Sequence, residues 1–522
     1  MKNMNKIIAS LLVGSMVFSL AACGNDAGTG ETTPSTTPAE SGTPTSDAAP
    51  AEVVKPDSIT VMWDGTVFKE GDNYAEEFYS ALNEALGIDV KWTRPDHSTY
   101  GEQVGIAFND ASTLADVVLL PANYYASYAK QGNLWNMTDA WLNSEIANSG
   151  RLTSVAAQVI DGWYTEGPDG QKGIYAMYPA RGNGCITYVK ATWAKNAGYD
   201  SAAALPKNWA EYQDFLLAMK EKNGGKAPVL AAGLVNDSEA PYTNYLPEFY
   251  QDAYPDIYQK ADGTWVDGFT EPAMLGALER LNWGYSNGVL EASILEKPST
   301  ADVRNKFYDD TTGVFTYWAG SWAYTIKSNL AKNNLDDEVW NLPPIAELGS
   351  YMERLSPMIA ITTSCKNPEG VFQYFIDPIL DGGDVQMLWQ YGVEGVHYEW
   401  NADGQTISGL ATQATAGTEK ESKTTKNLFE ANLKLGNFSG VDPYTPQDVV
   451  IDEAFNLFNE NSSPAPGICT SETYLNYTAS LWTEKSRLIS EVTQGSKTPQ
   501  EAIDEYKSLT DDIVTQILAE CN

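Results

Sequence analysis

Between Ala115 and Pro121 the chain reads Ala-Asp-Val-Val-Leu-Leu-Pro. Four consecutive apolar residues with no polar alternation describe a strand covered on both faces, the condition of a parallel sheet layered between helices. The residues upstream agree. Ile59-Thr60-Val61-Met62-Trp63 is β-branched and apolar and stops at the turn-forming pair Asp64-Gly65. Tyr74, Phe78, Leu82 and Leu86 then recur every fourth position, which predicts a helix ended by Gly87. A second strand is expected over Ile88–Trp92. Strand–helix–strand alternation means α/β layers, and 522 residues are too many for one hydrophobic core, so two or more domains are expected.

Ahead of this body lies a different kind of sequence. Lys2 and Lys6 precede an apolar run from Ile7 to Ala22, too short for a stable spanning helix, and the run closes on Leu20-Ala21-Ala22-Cys23. Small residues directly before a cysteine are similar to a bacterial lipobox, so residues 1–22 are expected to be a signal peptide and Cys23 a lipidated N-terminus. Residues 24–57, rich in Thr, Pro, Ser, Gly and Ala, cannot bury enough surface to offset their ordering entropy and are expected to form a tether. At about 5–6 Å times the square root of its length, such a coil would reach roughly 30 Å.

The body offers little catalytic vocabulary. The chain has only two histidines, His97 and His397, with no GxSxG elbow, no HExxH and no complete phosphate loop. Cys185, Cys365, Cys469 and Cys521 are scattered without metal-type spacing, and their pairing is left open. No cofactor or metal is expected. A formal charge of −36 disfavours phosphate backbones and anionic headgroups, so nucleic acid is not an expected partner. Carboxylate pairs could serve a glycan hydrolase, but 69 acidic residues make accidental pairs inevitable. Two helix starts are explicit. Asn208 with Glu211, and Thr498-Pro499-Gln500-Glu501, each place a cap and a reciprocal acid.

Taken in order, several segments resemble the solute-binding lipoproteins of bacterial ABC sugar importers, the maltose-binding-protein-like family and its larger Gram-positive members. They are Ala115 to Leu134, with its Tyr-Ala-x-x-Gly-x-Leu ending; Gly173-Ile174-Tyr175-Ala176-Met177-Tyr178-Pro179; and Tyr188-Val189-Lys190 through Tyr212. Phe307 to Tyr324, containing Gly320-Ser321-Trp322, and Lys366-Asn367-Pro368-Glu369-Gly370 follow, then Gln390 to Tyr398 and Gln494 to Ala502. The glycine usual near Asp310 is missing. The resemblance implies a two-lobed periplasmic-binding-protein-like α/β fold with an interlobe cleft. Crossing strands would lie near Ala180–Thr187, Met352–Ala360 and Tyr398–Ala402. One lobe would combine residues 58–182 with 358–400, the other 183–357 with 401–522. It also implies a carbohydrate ligand, membrane permease subunits as partners, and an extracytoplasmic, membrane-anchored location.

Flat aromatics and fixed polar groups suit a sugar, which has an apolar face and a rim of hydroxyls. The expected ligand contacts are Trp63 and Asp64 at the end of the first strand, Asn123 and Tyr124, Arg181 and Asn183 on a crossing, and Trp318, Trp322 and Trp482 for stacking. For each aromatic the competing reading is core packing. Glu394 and His397 are expected to fix a lobe junction. An importer's binding protein leads; a surface glycan hydrolase, or an adhesin or sensor without transport, stays open.

Overall fold

Ser58–Met62 is the hub of the first sheet. It pairs in parallel with Asp89–Thr93 on one side and Val117–Leu120 on the other, and Met358–Ile361, from far downstream, adds antiparallel beyond Val117–Leu120. Every residue of Val117–Leu120 and Met358–Ile361 is buried, as the unbroken apolar run requires. Helix Ala75–Leu86 turns Phe78, Leu82 and Leu86 inward at the spacing read from the sequence, with Ala75 also buried, while Tyr74 lies outside the described residues. These statements come from a computed structural model that describes residues 52–65, 75–148, 160–177, 182–234, 245–335, 337–353, 356–380, 383–409, 449–464, 467–469 and 471–521. The expected signal peptide, Cys23 and most of the expected tether lie outside the described residues.

The second sheet is centred on Cys185–Lys190, buried along its whole length and antiparallel to both Val314–Trp318 and Val339–Leu342. Helix Trp209–Lys222 begins as the sequence indicates. Asn208 Oδ1 accepts from Glu211 N at 3.0 Å, while the Glu211 carboxylate reaches one residue further back, accepting from Lys207 N at 3.0 Å. At the C-terminal end, Thr498 and Glu501 exchange the expected bonds at the start of Pro499–Cys521.

The apolar side chains form two separate cores. One runs from Ile59 to Met177 and resumes at Met358 to Trp389; the other runs from Cys185 to Tyr351 and resumes at Ala454 to Ile517. Core membership thus changes between Met177 and Cys185 and again between Tyr351 and Met358, so the fold is a two-lobed α/β fold. Tyr398–Trp400 behaves differently from the third expected crossing. It makes an antiparallel hairpin with Ile407–Gly409, and Tyr391, Tyr398 and Ile407 form a small cluster of their own. His397 is buried in the preceding turn, where its Nδ1 accepts from Val393 N at 2.9 Å.

The start of the body corrects the tether boundary at residue 57. Val53 O accepts from Tyr374 OH at 3.2 Å, Val54 O accepts from Asn367 Nδ2 at 2.8 Å, and Lys55 lies over the Tyr374 ring. Backbone groups cost nothing in side-chain apolarity to dock, so a segment that looks like tether joins the lobe through its carbonyls. Among the described residues no helix is long and apolar enough to cross a membrane.

Candidate functional site

Three parallel strands of the first sheet end side by side, and the loops that follow carry the polar groups. This is where ligands sit in open α/β sheets. After Ser58–Met62 the loop is bracketed: Trp63 N donates to Thr93 O and Gly65 N to Pro95 O, both near 3 Å. A Cβ at Gly65 would stand 2.4 Å from Pro95 O, so only glycine allows this approach. Arg94 fixes the same loop, donating from Nε and Nη2 to Asp64 O at 3.1 and 2.6 Å and from Nη1 to Tyr79 OH at 2.9 Å. The Asp64 carboxylate meets exposed His97 Nδ1 at 2.6 Å.

Trp63 does not face this rim. It is 5% exposed and packs edge-on against fully buried Trp389, with ring centroids 5.3 Å apart. Just past the strand end the indole joins Val61 and Met62 in the first core, so Trp63 is corrected from ligand contact to core. Asn123 is exposed in the first turn of helix Ala122–Lys130, and Tyr124 is half-buried beside it. The Tyr124 ring stacks parallel on Tyr128 at 5.2 Å, and Tyr128 stacks on Phe108 at 4.1 Å.

On the second lobe the corresponding rim is the end of Val314–Trp318. Trp318 is half-buried, and its carbonyl accepts from Tyr188 OH at 2.8 Å. Opposite it, Asn183 Nδ2 donates to Ala319 O at 3.2 Å and Asn183 Oδ1 accepts from Gly184 N, so this side chain ties the crossing to the strand end. Glu353 Oε1 accepts from Gly182 N at 3.0 Å and holds the two crossings together. Gly320 turns the chain at φ +83°, and a Cβ there would lie 2.2 Å from the Phe455 ring. Helix Ser321–Lys332 starts immediately after. Trp322 is half-buried in its first turn, edge-on to Tyr317 at 4.6 Å, with the Arg304 guanidinium 5.1 Å from its ring. Arg304 Nη1 also donates to Tyr317 OH at 3.1 Å.

Trp482 belongs elsewhere. It is 6% exposed, and its indole N–H donates to Asp256 Oδ2 at 3.3 Å. Asp256 and Asp267 flank Lys485, and all three are almost fully buried. A buried carboxylate needs donors around it, and Trp482 is one, so its assignment to ligand stacking is corrected. Arg181 lies outside the described residues. The described structure therefore groups Asp64, Asn123 and Tyr124 at strand ends of the first lobe and Asn183, Trp318 and Trp322 at one corner of the second.

Sequence reasoning missed Arg94, Arg304 and Phe455, which set these loops. Phe455 and Phe458 stand at helical spacing, a signal that marks a packing face without saying what it covers. Chemically the rims offer hydrogen-bonding and stacking groups. One carboxyl has a pKa pushed up, by burial, to about 7: Glu248. It is 3% exposed inside the second core, beside Thr187 and Tyr212, beyond the reach of a polymer. Among the described residues no group of three or more acidic, His or Cys side chains could hold a metal ion.

The model of the family described as bacterial extracellular solute-binding protein matches residues 65–376. Among solved structures, the N-glycan transport solute-binding protein NgtS of Streptococcus pneumoniae is 16% identical, with 89% of this chain and 97% of that one covered at a TM-score of 0.61. A human-milk-oligosaccharide (HMO)-binding, ABC-transporter-associated solute-binding protein of Bifidobacterium longum infantis is 14% identical, covering 90% and 98% at 0.60. The sugar-binding protein MalE of Xanthomonas citri is 15% identical, covering 88% and 98% at 0.56. At such identities the likeness speaks for the fold. Among curated proteins no sequence matches the chain.

Proposed function

The chain belongs to the bacterial extracellular solute-binding protein family, and from that premise we propose that it captures an oligosaccharide by closing its two lobes and delivers it to the permease of an ABC importer. Lipidated Cys23 would hold it at the outer face of the cytoplasmic membrane. The observation that carries the reading is the pair of rims. Polar side chains at three parallel strand ends belong to one core, and two half-buried tryptophans at a strand end belong to the other, with the chain passing twice between the cores. The division into residues 58–182 with 358–400 and 183–357 with 401–522 is supported by the same two cores. Within it, Asp64, Asn123, Tyr124, Asn183, Trp318 and Trp322 are the proposed contacts, together with Arg181.

The chain binds its glycan without transforming it. A hydrolase needs a protonated carboxyl beside the scissile bond; burial raises the pKa of two described carboxyls, Glu248, sealed inside a core, and Asp252, paired with Arg280. The test is a thermal-shift and calorimetric screen of the mature protein against glycans, with chromatography of each incubated glycan. One class should raise the melting temperature, because ligand at 100 times its dissociation constant stabilises by about 2.7 kcal/mol. Release of shortened glycan at steady turnover would overturn the proposal, as would a screen in which only non-carbohydrate solutes stabilise.

A further inference from the structure

Cys469 and Cys521 are far apart in sequence, yet both belong to one corner of the second lobe. Cys469 is buried directly after Gly467–Ile468, the short strand that pairs antiparallel with Ile257–Gln259. Cys521 is the last residue of helix Pro499–Cys521 and is half-exposed. The end of that helix is fastened beside the start of helix Glu472–Thr493. Thr473 donates from N and Oγ1 to the Glu520 carboxylate at 3.1 and 2.5 Å, and Gln516 Nε2 donates to Thr473 Oγ1 and to Glu520, both at 2.9 Å. These donors hold the Glu520 carboxyl at about 2, well below the usual range. Ser471, two residues after Cys469, caps Glu472–Thr493 through Tyr474 N, and the two thiols are neighbours beside it.

We infer that Cys469 and Cys521 form a disulfide in the extracellular protein, clasping the C-terminal helix to the strand Gly467–Ile468. Four observations converge on it. The thiols are neighbours; the backbone on both sides is anchored independently of them; Cys521 is partly exposed; and the family acts outside the cell, where disulfides persist. Cys185 is in the central strand of the second sheet, opposite Trp318, and Cys365 packs against the first core with its thiol pushed up to about 12 by burial.

The chemistry needs an oxidant, a low-molecular-weight disulfide. One of the two cysteines, as its thiolate, attacks one of the reagent's sulfurs and releases one small thiol. The other then attacks that cysteine's sulfur and displaces the second. The protein S–S bond forms, the reagent S–S bond breaks, and both cysteine protons leave on the two small thiols.

The full-length chain, purified without reductant and exposed to oxidised glutathione, is alkylated in denaturant, digested and mapped by mass spectrometry before and after reduction. One linked peptide pair joining Cys469 to Cys521 is expected, with Cys185 and Cys365 alkylated. Its melting temperature should fall on reduction; Cys521→Ser should remove that fall, and Cys365→Ser should leave it. Alkylated Cys469 and Cys521 without reduction, a link to Cys185 or Cys365, or a link between two chains would overturn the inference. The wild-type map decides the matter even where Cys521→Ser folds poorly.

Discussion

Trp322→Ala separates ligand contact from packing, because the structure bounds what the indole contributes to the fold. It is half-buried and has two specific partners, the edge contact with Tyr317 and the Arg304 guanidinium over its ring. An aromatic pair contributes about 0.5–1.5 kcal/mol and an exposed cation–π contact about 0.5–1 kcal/mol. Truncation should therefore cost about 1–2.5 kcal/mol of stability, below the 3–5 kcal/mol of emptying a sealed core site. As an aromatic anchor in a binding site it should cost about 2–4 kcal/mol of affinity, roughly thirty-fold to a thousand-fold in Kd. Arg304→Met is the internal control. It removes the cation from the ring and loosens Tyr317, so it should lower stability modestly while shifting affinity less than Trp322→Ala. Urea unfolding and calorimetric titration on the same preparations read both quantities. A stability loss near that of a buried tryptophan, with affinity unchanged, refutes the argument and returns Trp322 to the core.

Gly320→Ala should destabilise by about 2–5 kcal/mol, combining positive-φ strain with overpacking against Phe455; Phe455→Ala should relieve only the second part, so a double-mutant cycle that shows no coupling refutes the close approach. Glu248 binds its proton more tightly in the folded protein than in the unfolded chain. Its contribution is therefore complete below about pH 4.5 and is lost as pH rises to about 7, a fall of about 3 kcal/mol. Glu248→Gln should flatten that slope in urea titrations run across the window; an unchanged slope would assign it to other groups. Cys23→Ser should move the protein from the membrane fraction to the medium, and mass spectrometry of the wild-type N-terminus should show diacylglyceryl-cysteine.

Local signals carried much of the fold. The run Val117–Leu120 announced a strand buried on both faces, and it lies inside the first sheet. Asn208 and Thr498 started helices where their side chains could satisfy free backbone donors, which depends on a few adjacent residues alone. The ordered motifs from Ala115 to Ala502 were likewise sufficient to indicate the family. The tether boundary was less legible, since Val53 and Val54 dock through carbonyls that every residue possesses.

The tryptophans show where this reading ends. Trp63, Trp322 and Trp482 were all candidate ligand contacts in the sequence. Yet Trp63 is walled in by Trp389, Trp482 serves a buried carboxylate, and Trp322 keeps part of its surface at a strand end. Gly320 needs to be glycine because of Phe455, and Cys521 comes beside Cys469 because Thr473 holds Glu520. Backbone conformation and capping are set by neighbours along the chain, so the sequence by itself determined the layers, the helix starts and the family. Exposure and contact are set by what the rest of the chain places in front of a side chain, and that was decided only when two cores closed around residues hundreds of positions apart.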